Sequence, residues 1–97
     1  MKIMISQPMQ GKTEEQIRAE REEIVKQLKN EGHEVVDTIF TDEPPENADI
    51  GMWYLALSIE AMSEVDGIVF MHGWENARGC VAEEYIARKY NKFCKYL

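Results

Sequence analysis

Short apolar runs alternate with segments of helical periodicity along the whole chain, and this alternation limits the available folds more than any other feature. The apolar runs have the length and character of buried strands, and the segments between them have amphipathic spacing. We predict strands at residues 2–6, 33–38, 66–71 and 92–96, and helices at residues 13–31, 52–64 and 79–90. Strict alternation of this kind is typical of a parallel sheet with helices on both faces. We therefore predict one α/β domain over residues 1–97, a Rossmann-like or flavodoxin-like three-layer sandwich with four or five parallel strands.

Two loops of this arrangement are candidates for ligand binding. In open parallel sheets, ligands bind outside the carboxyl ends of the strands, near the point where the strand order reverses. Residues 7–12 follow the first predicted strand and residues 72–78 follow the third. The longer polar loop at residues 39–50 is predicted either to set substrate specificity or to be disordered.

The first loop ends like a phosphate-binding P-loop. Residues 6–13 read SQPMQGKT, but Ser6 occupies the position of the first glycine of that motif. Pro8 lies inside the loop, and it has no N–H group to offer a phosphate. Thr13 and Gln16 have the spacing of a capping box, which explains Thr13 without a ligand. We therefore exclude an ATPase, although a helix N-terminus remains that can bind an anionic or polar group.

Glu83 lies on the apolar side of the last predicted helix. At about 100° per residue, Cys80, Ile86 and Ala87 fall on the same side, toward the sheet. Its neighbour Glu84 points outward and can pair with an arginine four residues later. A carboxylate on an inner face is costly unless it is paired or used. Glu83 is therefore either close enough to the edge to reach water or backbone amides, or a nucleophile or general base in a pocket.

Three more residues have a functional and a structural interpretation. Ser58 lies among apolar residues of the second helix, where it either bonds a carbonyl one turn earlier or lines the same pocket as Glu83. Trp74 is either an aromatic wall for a base or sugar, or a cover over the core. Arg78 either binds a phosphate or pairs with an acidic side chain.

Charge and composition exclude several classes of partner. The formal net charge of −7 argues against binding to DNA or RNA, because phosphate backbones require clustered cations. His33 and His72 have no partners at metal-ligand spacing, so we predict no metal, and we predict no cofactor. No apolar stretch has the length of a membrane span, so we expect no membrane partner. With no secretory signal pattern, Cys80 and Cys94 are expected to be free thiols and the protein to be cytoplasmic.

Two blocks of the sequence resemble the nucleoside 2-deoxyribosyltransferase superfamily. They are SQPMQGKT after the first strand and DGIVFMHGWENARGCVAEEYIA near the end, and the resemblance extends over nearly the whole chain. The closest likeness is to small phage and bacterial members, which are related to deoxynucleoside 5′-monophosphate N-glycosidases. The resemblance implies cleavage of an N-glycosidic bond, with Glu83 attacking the anomeric carbon and residues 6–11 holding the sugar or phosphate. It also implies a homodimer or larger homo-oligomer whose subunits complete each other's sites.

The resulting hypothesis is an enzyme acting on a nucleoside, nucleotide or related ribosyl compound. The sequence departs from the family pattern at Met4, Ser58 and Ala77, where Tyr, Asp and Ser are usual. These departures suit a different leaving group, or a module that captures or senses a nucleotide-derived ligand without turnover. A structural interaction protein is the third possibility. The predicted catalytic residues are Glu83 and Ser58, and the predicted substrate-binding residues are Ser6, Gln7, Pro8, Gly11, Trp74, Asn76, Arg78 and Gly79.

Overall fold

A computed structural model describes residues 1–97 and confirms the α/β sandwich. The four strands all run parallel and are ordered β2-β1-β3-β4 across one sheet. They are β1 (Lys2–Ser6), β2 (Glu34–Val36), β3 (Gly67–Phe70) and β4 (Phe93–Tyr96). The helices are α1 (Glu14–Asn30), α2 (Ile50–Met62) and α3 (Arg78–Lys89), with a 3-10 turn at Trp74–Asn76.

The strand order reverses between β1 and β3, at the centre of the sheet. The chain leaves β1 for β2 on one side and later returns to β3 on the other side of β1. Right-handed crossovers therefore place α1 on one face and α2 and α3 on the opposite face. In this arrangement, the carboxyl ends of the strands and the N-termini of the helices share one edge, which is where ligands bind in such folds.

The observed element ends differ from the predicted ends by at most two residues. The strand predicted at residues 33–38 is confined to Glu34–Val36, the three residues that pair with β1. Beyond them the side chain of Thr38, not its backbone, bonds the Ile5 carbonyl. The second helix begins at Ile50, which the sequence had assigned to the loop at residues 39–50. It begins there because the Asp49 carboxylate accepts a hydrogen bond from the Met52 N–H at 2.9 Å, and this caps the first turn.

The predicted capping box at the start of α1 is confirmed. The Thr13 hydroxyl accepts from the Gln16 N–H at 3.1 Å, and the Gln16 side chain accepts from the Thr13 N–H at 2.9 Å. Gly32 follows the helix with a φ of +89°, a conformation that suits glycine and ends the helix. The threonine of the GKT sequence therefore caps a helix.

Alternate residues of β1 belong to two separate cores. Met4 is fully buried against Ile68 and Phe70 on the face covered by α2 and α3. Ile3 and Ile5 pack on the opposite face, in a cluster with residues of α1. Because successive strand residues point to opposite faces, the end of β1 presents one side chain to each layer.

One face of the sheet carries a single helix, α1, which is too narrow to cover it. A helix is roughly 10 Å wide and strands lie about 4.8 Å apart, so α1 covers about two of the four strands. Beyond it, Phe93 is 50% exposed and Leu97 is 48% exposed. Phe93 pairs with Gly67 in the sheet, and a Cβ on Gly67 would lie 3.1 Å from the Phe93 side chain, so the missing side chain leaves room for the ring.

Helix α2 is apolar around most of its circumference. Only Met62 is fully buried, while Ile50 and Met52 are 61% and 68% exposed. None of the three helices combines the length and apolar character that are needed to span a lipid bilayer. The apolar surface of α2 is therefore only partly used within one chain.

Candidate functional site

The side chain of Glu83 lies buried at the edge where the strand order reverses. Glu83 is 7% exposed, and its Oε1 atom accepts a hydrogen bond from the Ser6 hydroxyl at 3.1 Å. Ser6 is the last residue of β1 and pairs with Phe70, the last residue of β3. The predicted orientation of Glu83 toward the sheet is confirmed. Glu84 pairs with Arg88 at 2.6 Å as predicted, but it does not point outward: it is 8% exposed and accepts a hydrogen bond from the Tyr96 hydroxyl at 2.6 Å.

Burial changes the acidity of this carboxyl group. It raises the pKa of Glu83 from 4.5 to about 7, and hydrogen bonds from the Ser6 and Ser58 hydroxyls and the positive charge of Arg21 oppose the shift. Near neutral pH, the ionised and protonated forms are then both populated. A carboxyl group with this property can act as a nucleophile or base when it is ionised, and as a hydrogen-bond donor when it is protonated.

Ser58 and Cys80 complete the immediate surroundings of Glu83. Ser58 is half-buried on α2, and its hydroxyl is one of the groups that lower the pKa of Glu83. Cys80 is a buried free thiol one turn before Glu83, and burial raises its pKa while the Ser6 hydroxyl lowers it. The predicted site omitted Cys80, although its spacing of three residues from Glu83 on one helix face would have included it.

The Gln7 side chain turns away from Glu83, and both its nitrogen and its oxygen form hydrogen bonds within the protein. Its amide group donates to the Ile17 carbonyl and to Glu20, both at 3.0 Å, and its oxygen accepts from the Arg21 Nε–H at 2.8 Å. These bonds fasten the first loop to α1, on the opposite face from Glu83. Contact between Gln7 and a substrate stays a prediction.

The two loops at this edge approach each other. Pro8 is half-buried, and its ring lies 3.7 Å from the position that a Cβ on Gly73 would occupy. Gly11 is exposed with a φ of +79°, a turn conformation that favours glycine. Lys12 is paired with Glu20 at 2.9 Å. The loop is therefore held by contacts within the chain, and Pro8 and Gly11 as ligand contacts stay predictions.

Trp74 packs as a cover over the core. Its ring lies 5.5 Å from Phe70 and 5.4 Å from Tyr96, measured between ring centroids, and these two rings stack on each other at 5.4 Å. This packing accounts for Trp74 without a ligand. Asn76 is exposed at the end of the 3-10 turn. Roles for Trp74 and Asn76 in binding a base or sugar stay predictions.

The N-terminus of α3 has no side-chain cap. Ala77 precedes the helix and offers no side-chain hydrogen bond to the first turn. Gly79 lies in that turn, and a Cβ there would meet nothing within 4 Å. Free N–H groups at a helix start, with open space beside them, can bind an anionic or polar group.

Arg78 spans the gap between the starts of α3 and α2. It is exposed and forms no ion pair, and one of its terminal nitrogens lies 2.9 Å from the position of a Cβ on Gly51. The glycine leaves the space in which the guanidinium lies. Arg78 is therefore an unpaired cation at the same edge as Glu83.

The structure thus brings together only some of the residues predicted to be catalytic or substrate-binding. Glu83 is surrounded by the hydroxyls of Ser6 and Ser58, with Arg78 and Gly79 one turn away at the start of α3. The groups that act on the pKa of Glu83 are the hydroxyls of Ser6 and Ser58 and the cation of Arg21, and no second carboxylate is among them. No three His, Cys, Asp or Glu side chains come together in a metal-binding arrangement. Two surface grooves, of about 510 and 450 Å³, lie along α1, and Glu83 lines neither of them.

Comparison with known proteins identifies a family. A family model described as a domain of unknown function (DUF4406) matches residues 1–96. No curated protein and no solved structure matches the chain. The chemistry therefore has to be argued from the residues themselves.

Proposed function

The chain belongs to the DUF4406 family, whose description names no activity, and we propose from its own residues that it cleaves the N-glycosidic bond of a nucleoside or nucleotide. The observation that carries this proposal is the buried Glu83 carboxyl group, held by Ser6 at the switch point of a parallel sheet. The two sequence blocks that resemble nucleoside 2-deoxyribosyltransferases contain both residues. That resemblance gives Glu83 the role of the nucleophile.

The proposed reaction has two steps. The ionised Glu83 attacks the anomeric carbon, the C–N bond breaks, and its electron pair leaves with the base, which takes a proton from water. Water or another base then cleaves the glycosyl ester and restores the carboxylate. Ser6 orients the attacking oxygen through its hydrogen bond, and Ser58 contributes a second hydroxyl to the carboxyl group.

The start of α3 is suited to bind the part of the substrate that carries hydroxyl groups or a negative charge, which is the sugar or its phosphate. Its first turn has no side-chain cap, and Arg78 provides an unpaired cation beside it. A helix N-terminus and a guanidinium both favour a phosphate or another electron-rich group. We propose that this side of the site holds the sugar or its 5′-phosphate.

A binding module is the second candidate, and the surroundings of Glu83 support it. Its partners are hydroxyls, and a serine cannot protonate a departing base at neutral pH as a carboxylic acid can. A half-protonated carboxyl group can instead hold a ribose hydroxyl. In that case the protein would capture a nucleotide-derived ligand and leave it intact.

The test compares the wild type with Glu83→Gln and with Glu84→Gln, a matched control at the neighbouring carboxylate. Each protein is incubated with deoxynucleosides, nucleoside monophosphates and ADP-ribose-type dinucleotides, and free base is measured by chromatography. We expect release by the wild type and the control, and a rate about a thousandfold or more lower for Glu83→Gln, because the nucleophile is missing. The wild-type rate should rise with pH through about 7, as Glu83 ionises.

The other outcomes separate the candidates. Equal release by Glu83→Gln and the wild type would exclude Glu83 as the nucleophile. Thermal stabilisation by a compound that stays intact would favour the binding module. If no compound of the panel releases base and none stabilises the protein against heat, the remaining candidate is a structural interaction protein.

We also propose that the protein forms a homodimer through the face that carries α2 and α3. On that face Ile50, Met52, Val81 and Tyr85 are all at least 43% exposed, and clustered exposed apolar side chains mark interaction surfaces. We expect sedimentation equilibrium to give twice the chain mass, and Met52→Lys to lower it to one chain. Leu97→Lys, on the opposite face, should leave the dimer intact. A wild type of single-chain mass would contradict this proposal.

A further inference from the structure

Arg21 is a buried cation without a carboxylate partner. Arg21 is 5% exposed. Its Nε–H donates to the Gln7 side chain, and its Nη1–H donates to the Thr38 hydroxyl at 3.4 Å. Thr38 in turn donates to the Ile5 carbonyl at 3.1 Å. The remaining terminal nitrogen, Nη2, is buried and has no hydrogen-bond partner.

An unpaired buried guanidinium is unusual because it is costly. Removing a charge from water carries a penalty that is normally offset by a counter-charge and a complete set of hydrogen bonds. The chain has 18 acidic residues and a net charge of −7, yet none of them forms an ion pair with Arg21. A free, charged donor in such a place indicates that an anion from outside the chain completes the pair.

Arg21 lines a groove between α1 and β2 that is positively charged. The groove has a volume of about 450 Å³ and contains four cations and two carboxylates. The carboxylates are already paired, Asp37 with Arg18 at 3.5 Å and Glu22 with Lys26 at 3.4 Å. The cations left without an ion pair are Arg21 and Lys29. The complete lining is Arg18, Arg21, Glu22, Val25, Lys26, Lys29, Val35, Val36 and Asp37.

We propose that this groove binds a phosphate-bearing ligand, and that the guanidinium of Arg21, which lines the groove, rotates so that the buried Nη2 becomes its central contact. Arg18 lies one helical turn before Arg21 on the same face of α1. An incoming phosphate displaces Asp37 from Arg18 and is held by both guanidinium groups, while Lys29 adds a third charge. The valines of the groove contact the apolar part of the ligand. The groove lies on the opposite face of the sheet from Glu83, although the charge of Arg21 still acts on the pKa of that carboxyl group.

The test uses inorganic pyrophosphate as the probe, with sodium chloride at matched ionic strength as the reference. Pyrophosphate is expected to raise the midpoint of thermal unfolding of the wild type by several degrees, because it binds the folded state only. Arg21→Met and Arg18→Ala are each made in the Arg78→Met background, which removes the phosphate-binding cation proposed beside Glu83. There Arg21→Met should abolish this rise and Arg18→Ala should reduce it. Lys89→Met, which removes a cation on α3, and Arg78→Met, which removes the cation beside Glu83, should both retain it.

Three results would overturn the proposal. They are a wild type that does not respond, a response that persists in Arg21→Met, and a response that is lost in Arg78→Met. If Arg21→Met does not fold, the wild type is titrated with pyrophosphate and the NMR chemical shift of the Arg21 Nε–H is followed. A shift that saturates with pyrophosphate supports the site, and an unchanged resonance overturns it.

Discussion

Glu83→Gln is expected to be more stable than the wild type by about 3 kcal/mol at pH 8, and by less than about 1 kcal/mol at pH 5. Burial raises the pKa of Glu83 in the folded protein from 4.5 to about 7. The folded state therefore binds this proton more tightly than the unfolded chain does. The stabilisation is fully present below pH 4.5 and is lost as the pH rises through about 7. A shift of this size corresponds to about 1.4 kcal/mol per pKa unit, and glutamine escapes the loss because it does not ionise.

Denaturant unfolding of both proteins between pH 5 and pH 8 measures the difference directly. Groups common to both proteins, including the two histidines, cancel in the comparison. Glu84→Gln is the matched control. The hydrogen bond from Arg88 lowers the pKa of Glu84 below 4.5, so this variant should be less stable than the wild type by an amount that stays constant between pH 5 and pH 8. A difference between Glu83→Gln and the wild type that stays constant with pH would show that Glu83 ionises like a surface carboxylate.

Phe70→Ala is expected to lower the free energy of unfolding by about 3 to 5 kcal/mol. Phe70 is fully buried at the end of β3, where it packs against Met4 and Ile68 and contacts the rings of Trp74 and Tyr96. Removing the ring leaves a cavity beneath Trp74 and beside Ser6, its partner in the sheet. Domains are typically stable by only about 5 to 15 kcal/mol, so this loss brings the protein close to unfolding at room temperature.

The comparison for this prediction is Tyr90→Ala, which removes an aromatic ring that is 75% exposed just after α3. It should cost less than about 1 kcal/mol, because little apolar area is lost from the interior. Both values come from denaturant unfolding at one pH, and tryptophan fluorescence should shift to the red in Phe70→Ala as Trp74 becomes hydrated. Equal costs for the two variants would contradict the packing of the aromatic cluster.

The sequence predicted the fold and the position of Glu83 because both depend on local periodicity. Alternating strands and helices leave few arrangements, and the order β2-β1-β3-β4 belongs to that small set. The helical spacing of Glu83 relative to Cys80 and Ala87 places the three residues on one side of α3, and all three are buried. The start of α2 was misplaced because a single capping contact from Asp49 decides it, and apolar spacing carries no information about that contact.

The role of Arg21 was missed because its partners are distant in the chain. Its position in α1 was visible, since it lies on the apolar stripe with Ile17, Ile24 and Leu28. Its contacts with Gln7 and Thr38 join residues 14 and 17 positions apart, and only the assembled sheet brings them together. The same holds for Ser6 and Glu83, which are 77 positions apart.

The half of the sheet that α1 leaves uncovered bears on how the protein behaves at high concentration. β4 is an edge strand, and an unpaired strand edge flanked by apolar side chains is a template for aggregation. Lys95 of β4 lies between Phe93 and Leu97 in the sequence and places a charge on the uncovered face, beside the edge where a second strand would pair. Salt screens such charges. Colloidal stability in concentrated, high-salt solution therefore depends heavily on this one lysine and on the overall negative charge of the chain.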